Sequence, residues 1–182
     1  MALTKYFEAT WLPEQGIARY RHERTLRYRF NKRGPLDPEP ILSWDWQDEV
    51  RQPGDFVCTV DVVRLVSPLV REIFDGLKTE HDDIQWIPGT LALPSGEELE
   101  YWVPHFPSPD DILDMEHTNF GPSGLPIRYV FSYARLVPHA ITKSASSSST
   151  VVLSEPVVNA LRAAGTRNIM YMPAPVNYPD WS

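Results

Sequence analysis

Two stretches, RLVSPLVREIFDGL at residues 64–77 and VVLSEPVVNALRAAG at residues 151–165, share one pattern. Each begins with an apolar run typical of a strand, continues through a serine that can cap a helix, and ends in an amphipathic segment. Each is followed by a short run with an aromatic residue and a closing proline, DIQWIP at 83–88 and NIMYMP at 168–173. The pattern therefore predicts two similar strand–helix–strand units.

The serines mark where the two helices are expected to start. A proline follows Ser67, and proline fits the first helical turn because the N–H that it lacks would be unpaired there. Ser154 occupies the same place in the second unit, and Gly165 is expected to end that helix. Helices this short cannot bury their apolar faces alone, so we expect both units, at about 56–88 and 150–173, to pack on sheets.

The rest of the chain predicts short elements separated by turns. FVCTVDVVRLV, residues 56–66, is a β-branched run typical of one continuous strand. LALPSGEELEYWVPHF, residues 91–106, is typical of a hairpin, and IRYVFSYARLV, residues 127–137, is a further strand candidate. An acidic start predicts a short helix at 110–116, and SASSSST at 144–150 predicts a loop.

Together these elements predict an α+β fold with short mixed or antiparallel sheets, two strand–helix–strand units and long proline-rich loops. The 18 prolines support the loops, because proline interrupts regular elements. We expect an N-terminal region at 1–54, with a basic strand and an acidic tryptophan-containing loop. An α+β domain at 55–182 would follow it, and the two would form one compact unit.

The charge distribution is uneven along the chain. Residues 1–33 hold eight Lys or Arg and three Asp or Glu, whereas the remaining chain holds nine and 21. The acidic body argues against nucleic acid as a direct partner, because phosphate binding needs a dense basic face, and it favours a basic protein partner.

The cellular location is predicted from what the sequence lacks. No apolar run approaches the roughly 18 residues of a membrane helix, and the N-terminus lacks the layout of a signal peptide. The single cysteine, Cys58, excludes an internal disulfide. We therefore expect a cytoplasmic protein that does not bind a membrane.

Exposed carboxylates beside an aromatic anchor are typical of protein interfaces. The stretch ILSWDWQDEV at 41–50 has this composition, and two later segments are rich in aspartate. We predict two groups of partner contacts. They are Trp44, Asp45, Trp46, Asp48 and Glu49, and then Asp82, Asp83, Asp110, Asp111 and Asp114.

Two alternatives remain open. In DDILDMEH, residues 110–117, helical spacing would place Asp110, Asp114 and His117 on one face, where they could bind a metal in a small hydrolase. RYRHERTLRYRF, residues 19–30, interleaves arginines and aromatics as RNA-binding segments do. The chain has no phosphate-binding glycine loop, no nucleophile elbow and no H-E-x-x-H motif. We therefore expect no catalytic residue, metal or cofactor.

The order of these elements resembles a family of bacterial proteins, the polymorphic-toxin immunity proteins. VDVVRLVSPLV at 60–70 and TVVLSEPVV at 150–158 are similar to the strand that precedes the family's S-x-x-[LV] helix, and IRYVFSYARLV is similar to its later strand. The resemblance covers residues 55–176. It implies a non-enzymatic protein that binds a cognate toxin, often a nuclease, and occludes its active or substrate-binding surface. The shared motifs are packing motifs, so no contact residue is carried over from the family.

Overall fold

The computed structural model describes residues 3–13, 16–21, 30, 33–37, 40, 42–145 and 150–179. These residues form an α+β fold of 14 strands and three helices. The strands are β1 (Tyr6–Trp11), β2 (Ile17–Tyr20), β3 (Leu42–Trp46), β4 (Phe56–Thr59), β5 (Arg64–Val66), β6 (Gln85–Ala92), β7 (Glu98–His105), β8 (Asn119–Phe120), β9 (Pro126–Arg128), β10 (Phe131–Ser132), β11 (Ile141–Lys143), β12 (Val151–Ser154), β13 (Ile169–Pro173) and β14 (Val176–Asn177). The helices are α1 (Pro68–Leu77), α2 (Tyr133–Leu136) and α3 (Glu155–Ala163).

Six strands close into a barrel in the order β2-β3-β6-β7-β5-β4. Its longest pairing is the antiparallel hairpin of β6 and β7, which confirms the hairpin predicted at 91–106. Gly96 lies in the connecting turn with a φ of 88°, a left-handed conformation that glycine adopts without steric cost. Apolar side chains fill the barrel interior, among them Trp44, Leu65, Ile87 and Leu91.

A second sheet has four antiparallel strands in the order β11-β12-β1-β13. Because side chains alternate between the faces of a strand, β12 divides its apolar residues between two cores. Val151 and Leu153 face the core shared with the barrel and the helices, whereas Val152 faces a smaller core that includes Phe131 and Leu136. The sheet therefore joins the barrel on one side to the segment around α2 on the other.

The two predicted strand–helix–strand units are confirmed, and they share one topology. β5 and β6, which flank α1 in the chain, both pair antiparallel with β7. β12 and β13, which flank α3, both pair antiparallel with β1. In each unit the helix thus joins two parallel strands that are separated by one antiparallel strand. The units lie in different sheets, and α1 packs against α3 over a common apolar core.

The helix ends follow the predicted signals. The Ser67 hydroxyl accepts a hydrogen bond from the backbone N–H of Val70 at 3.4 Å, so Ser67 caps α1 as predicted. Ser154 precedes α3 in the same extended conformation, but its side chain makes no capping hydrogen bond. Gly165 follows α3 with a φ of 70°, which confirms that glycine ends this helix.

The single strand predicted at 56–66 is wrong, because a turn divides it into β4 and β5. The Thr59 hydroxyl donates to the carbonyl of Val63 at 2.8 Å and accepts from its N–H at 3.0 Å. Val62 adopts a φ of 63° inside this turn. The threonine side chain replaces the ladder hydrogen bonds that the turn residues lose, so a β-branched run folds back on itself.

The sequence suggested that Pro88 ends the strand in DIQWIP at 83–88, but the strand continues past this proline. β6 continues through Pro88 to Ala92, with Pro88 opposite Trp102 of β7. The parallel pairing with β3 begins only at Gly89, so Pro88 lies at the end of that ladder, where its missing N–H costs little.

Two further elements differ from expectation. The strand predicted at 127–137 is instead β9, β10 and then α2, and this turn brings Phe131 and Leu136 into the same core. The helix predicted at 110–116 is also wrong. There the Asp114 carboxylate accepts the N–H groups of Glu116 and His117, and this local bonding favours a turn over a helix.

The N-terminal region predicted at 1–54 contributes to both sheets. It supplies β1 to the four-stranded sheet and β2 and β3 to the barrel. Among the residues that the structure describes, no helix is long and apolar enough to cross a membrane.

Candidate functional site

Residues 113–131 form an irregular antiparallel ribbon whose base lies in the smaller core beside the four-stranded sheet. Leu113 bridges to Phe131 at its base, and both side chains are buried. The Thr118 hydroxyl accepts from the N–H of Val130 at 3.1 Å and donates to its carbonyl at 3.2 Å. β8 and β9 then pair toward the tip, with a register shift between Asn119 and Phe120. The base is thus fixed in the core while the tip extends into solvent.

The tip of the ribbon exposes large apolar side chains. Leu125 is 67% exposed and Ile127 is 76% exposed, and Phe120 is exposed as well. Met115, next to Asp114 at the base of the ribbon, is also exposed. The Ile127 side chain lies over Gly121, where an added Cβ would meet it at 3.2 Å. Several exposed apolar residues on one element are uncommon in an isolated soluble domain and are typical of a binding surface.

Carboxylates lie in the segment that leads into the ribbon and near its base. Residues 110–128 hold four acidic residues, Asp110, Asp111, Asp114 and Glu116, and one arginine, Arg128. Asp111 and Glu116 are exposed. Asp111 pairs with Arg135 of α2 at 3.1 Å, which fixes the approach to the ribbon against that helix. The ribbon thus carries acidic residues near its base and exposed apolar residues toward its tip, and protein interfaces combine apolar and polar side chains in this way.

Asp114 is held ionised at the base of the ribbon. Its carboxylate accepts from the Asn177 amide at 2.8 Å and lies 3.1 Å from Nδ1 of His117. The hydrogen bonds from Asn177, then from His117, lower the pKa of Asp114 to about 2. Asp114 therefore keeps its negative charge over the whole physiological pH range.

Asp82 and Asp110 meet at His139. The imidazole Nδ1 lies 3.1 Å from an Asp82 carboxylate oxygen, and Nε2 lies 3.7 Å from one of Asp110. Asp110 also accepts a hydrogen bond from the Thr142 hydroxyl. The structure corrects the prediction that Asp82 contacts a partner, because its side chain is 0% exposed and all its described contacts are internal. Asp83, its neighbour, is exposed.

The tryptophans of the first predicted group are also not surface anchors. Trp44 and Trp46 lie inside the barrel, 0% and 4% exposed. Their alternation along β3 directs both side chains inward, whereas Asp45 between them points outward and pairs with Arg21 at 2.6 Å. Their prediction as partner contacts is therefore wrong.

The two remaining acids of the first group lie in the loop after β3. Asp48 accepts the N–H groups of Val50 and Arg51 at 2.9 Å, and these bonds lower its pKa. Glu49 is exposed. None of the hydrogen bonds or ion pairs described above connects the first predicted group, residues 44–49, to the ribbon.

The hydrolase alternative depended on a helical face that the structure does not contain. Asp110 contacts His139 and Thr142, whereas Asp114 contacts His117 and Asn177. In the described part of the chain, no group of three or more His, Cys, Asp or Glu side chains could hold a metal ion. The RNA-binding alternative depended on residues 19–30, of which 22–29 lie outside the described residues.

The predicted partner contacts include Asp110, Asp111 and Asp114 near the base of the ribbon and none of the exposed apolar residues at its tip. The turn residues of GPSGLP at 121–126 indicate only a loop, and Ile127 falls within the strand candidate at 127–137. The sequence signal for this exposed apolar tip was Leu125, which stands between a glycine and a proline. An apolar side chain in such a turn has little core within reach.

The chain was compared with protein-family models and with curated proteins, and neither comparison gives a match.

Proposed function

We propose that this chain is a non-enzymatic immunity protein that works in the cytoplasm, binds a cognate bacterial toxin and occludes its active or substrate-binding surface. One observation carries the proposal, the exposed apolar tip of a ribbon that has acidic residues near its base. The resemblance of residues 55–176 to polymorphic-toxin immunity proteins supports the same class of function. Such a protein needs a stable scaffold and one surface that is complementary to its toxin.

Charge favours a basic partner, such as the substrate channel of a nuclease. Carboxylates near the ribbon would attract a phosphate-binding surface over about one Debye length, roughly 8 Å at physiological salt. Opposite charge mainly speeds association and rejects wrong partners. These carboxylates would therefore contribute mainly to selectivity and association rate.

Affinity would come from the apolar side chains. Complete burial of a leucine or isoleucine side chain is worth roughly 1.5–3 kcal/mol relative to exposure. Leu125 and Ile127 expose most of their surface. A partner that covered both would therefore gain most of this burial free energy for each of the two side chains. These two residues are thus the expected energetic centre of the interface.

The function is tested by expressing the adjacent upstream reading frame in bacteria, with and without this chain. We expect the neighbour to arrest growth alone and the chain to restore growth. The double variant Leu125→Asp/Ile127→Asp should fail to restore it. The control Val50→Asp/Val60→Asp, which changes two exposed valines outside the ribbon, should protect like the wild type. A neighbour that is harmless alone would overturn the proposal.

A further inference from the structure

A cavity of about 60 Å³ lies where the barrel meets the four-stranded sheet. Two cationic side chains line it, Arg64 from β5 of the barrel and Lys143 from β11 of the sheet. The remaining walls are almost entirely apolar, and Trp11, Val103 and Phe106 are among them. The cavity thus brings two positive charges into an apolar setting.

Neither cation has an anionic partner among the described residues. Nη1 of Arg64 is buried and makes no hydrogen bond, and no described ion pair includes Arg64 or Lys143. The guanidinium carbon of Arg64 lies 4.6 Å from the ring centre of Trp11, so the aromatic face holds it in place. A buried donor without a partner destabilises the fold, and more so when it is charged.

Arg71 shows the ordinary arrangement of a stacked arginine in the same protein. Its guanidinium carbon lies 3.7 Å from the ring centre of Trp102 and its Nε lies 3.6 Å from an oxygen of Asp75. Arg64 has the aromatic contact, but none of the described carboxylates pairs with it. The position that Asp75 fills beside Arg71 is the position that a ligand could fill beside Arg64.

The electrostatics of the cavity favour an anion. Burial lowers the pKa of Arg64, and burial together with the charge of Arg64 lowers the pKa of Lys143. Burial thus removes solvation from both charges, and no anion in the described part of the chain replaces it. A bound oxyanion would stabilise both charges, because a guanidinium can donate two parallel hydrogen bonds to a carboxylate or phosphate.

Size limits the ligand. A volume of about 60 Å³ holds roughly four water-sized groups, which suits a carboxylate or phosphate group and excludes a nucleotide. A second cavity of about 200 Å³ shares four lining residues with the first. Those residues are Trp11, Val62, Val63 and Arg64. Its other walls are mostly apolar, so it could receive the uncharged part of the same molecule.

We propose that the two cavities together bind a small organic anion. Its carboxylate or phosphate group would lie between Arg64 and Lys143 in the first cavity, and its apolar part would lie in the second cavity. The ligand would join the barrel to the four-stranded sheet. This site goes beyond the proposed immunity function, since none of its residues belongs to the ribbon.

The proposal is tested by calorimetric titration of the full-length protein with phenyl phosphate and with benzoate, and by thermal unfolding in their presence. Inorganic phosphate and potassium chloride at matched ionic strength are the controls. We expect saturable binding of at least one aromatic anion and a higher melting temperature with it. If only phenyl phosphate binds, the charged group is a phosphate, and if only benzoate binds it is a carboxylate.

Variants locate the site. Arg64→Gln and Lys143→Gln should each weaken binding at least about tenfold, the loss of one hydrogen bond to a charged group. Arg71→Gln removes the other stacked arginine and should leave binding unchanged. Because Arg64 and Lys143 lie in different sheets, Lys143→Gln carries the test if Arg64→Gln does not fold. Absence of saturable binding to both aromatic anions would overturn the proposal. Binding by both site variants as tight as that of the wild type would also overturn it, as would inorganic phosphate binding as tightly as phenyl phosphate.

Discussion

An oxygen of the Asp82 carboxylate lies 3.1 Å from Nδ1 of His139, and the two side chains are only 0% and 10% exposed. Asp82 also accepts the N–H groups of Thr79 at 2.8 Å, Ala140 at 3.1 Å and Ile141 at 3.2 Å. One carboxylate thus joins the segment after α1 to the start of β11. This arrangement makes Asp82 part of the scaffold.

Replacing Asp82 by asparagine should destabilise the fold. The substitution removes a charge that four donors share, and leaves at least one buried donor without a partner. We expect a loss of roughly 3 kcal/mol in the free energy of unfolding, measured by urea denaturation. Asp83→Asn, at the exposed neighbouring position, should change it by less than about 0.5 kcal/mol. Similar small effects of both substitutions would contradict a structural role for Asp82.

The same pair predicts a dependence of stability on pH. The hydrogen bond with Asp82 raises the pKa of His139 above its ordinary value. Protonated His139 therefore contributes its full stability below the unfolded pKa of about 6.5, and this contribution is lost as pH rises through the folded pKa. The stability difference between wild type and His139→Gln should be larger at about pH 6 than at about pH 9.

Urea denaturation at the two pH values measures this difference. Comparison with the variant is needed because burial lowers the pKa of His105, which gives the wild type an opposite trend over part of the same range. His81→Gln is the control, since His81 is exposed and its ring centre lies 6.1 Å from that of His139. A difference that is equal at both pH values, or larger at the higher one, would contradict the prediction.

The two helix starts should respond differently to alanine. Ser67→Ala removes the cap of α1 and also the hydrogen bond that the hydroxyl donates to Asp55 at 2.9 Å. It should lower the free energy of unfolding by at least about 1 kcal/mol. Ser154→Ala removes no capping bond and should be nearly neutral. Thermal or urea unfolding of both variants checks this, and an equal loss in both would show that the side-chain cap is unimportant.

Gly89 is predicted to be essential for packing inside the barrel. A Cβ at this position would lie 2.6 Å from Cζ3 of Trp44. Gly89→Ala should therefore cost about 1–3 kcal/mol, because the buried indole has no free space to move into. Gly76→Ala in α1 is the matched control. Its Cβ would meet open space, and alanine should stabilise the helix by about 0.5–1 kcal/mol. Equal effects in an unfolding experiment would contradict the packing argument.

The features that sequence predicts well here depend on a few neighbouring residues. The cap at Ser67, the hairpin around Gly96 and the end of α3 at Gly165 each follow from local backbone chemistry. The topology shared by the two units does not follow from local backbone chemistry. The antiparallel strand inside each unit comes from elsewhere in the chain, β7 in one and β1 in the other.

The incorrect predictions arose where distant contacts determine the structure. The run at 56–66 has strong strand propensity throughout, yet the bonds between Thr59 and Val63 divide it. Trp44 resembled a surface anchor because acidic residues flank it, but alternation along a barrel strand buries it. Arg64 and Lys143 lie far apart in the chain and meet only when the barrel packs on the second sheet.

The ribbon is the central functional claim, and a binding titration between this protein and the purified product of the upstream reading frame tests it most directly. We predict a saturable complex for the wild type and binding at least about 100-fold weaker for Leu125→Asp/Ile127→Asp, which corresponds to roughly 2.7 kcal/mol or more. The double variant should unfold at the same temperature as the wild type, because both side chains are exposed. Absence of a complex with the wild type, or equal affinity for the double variant, would contradict the account.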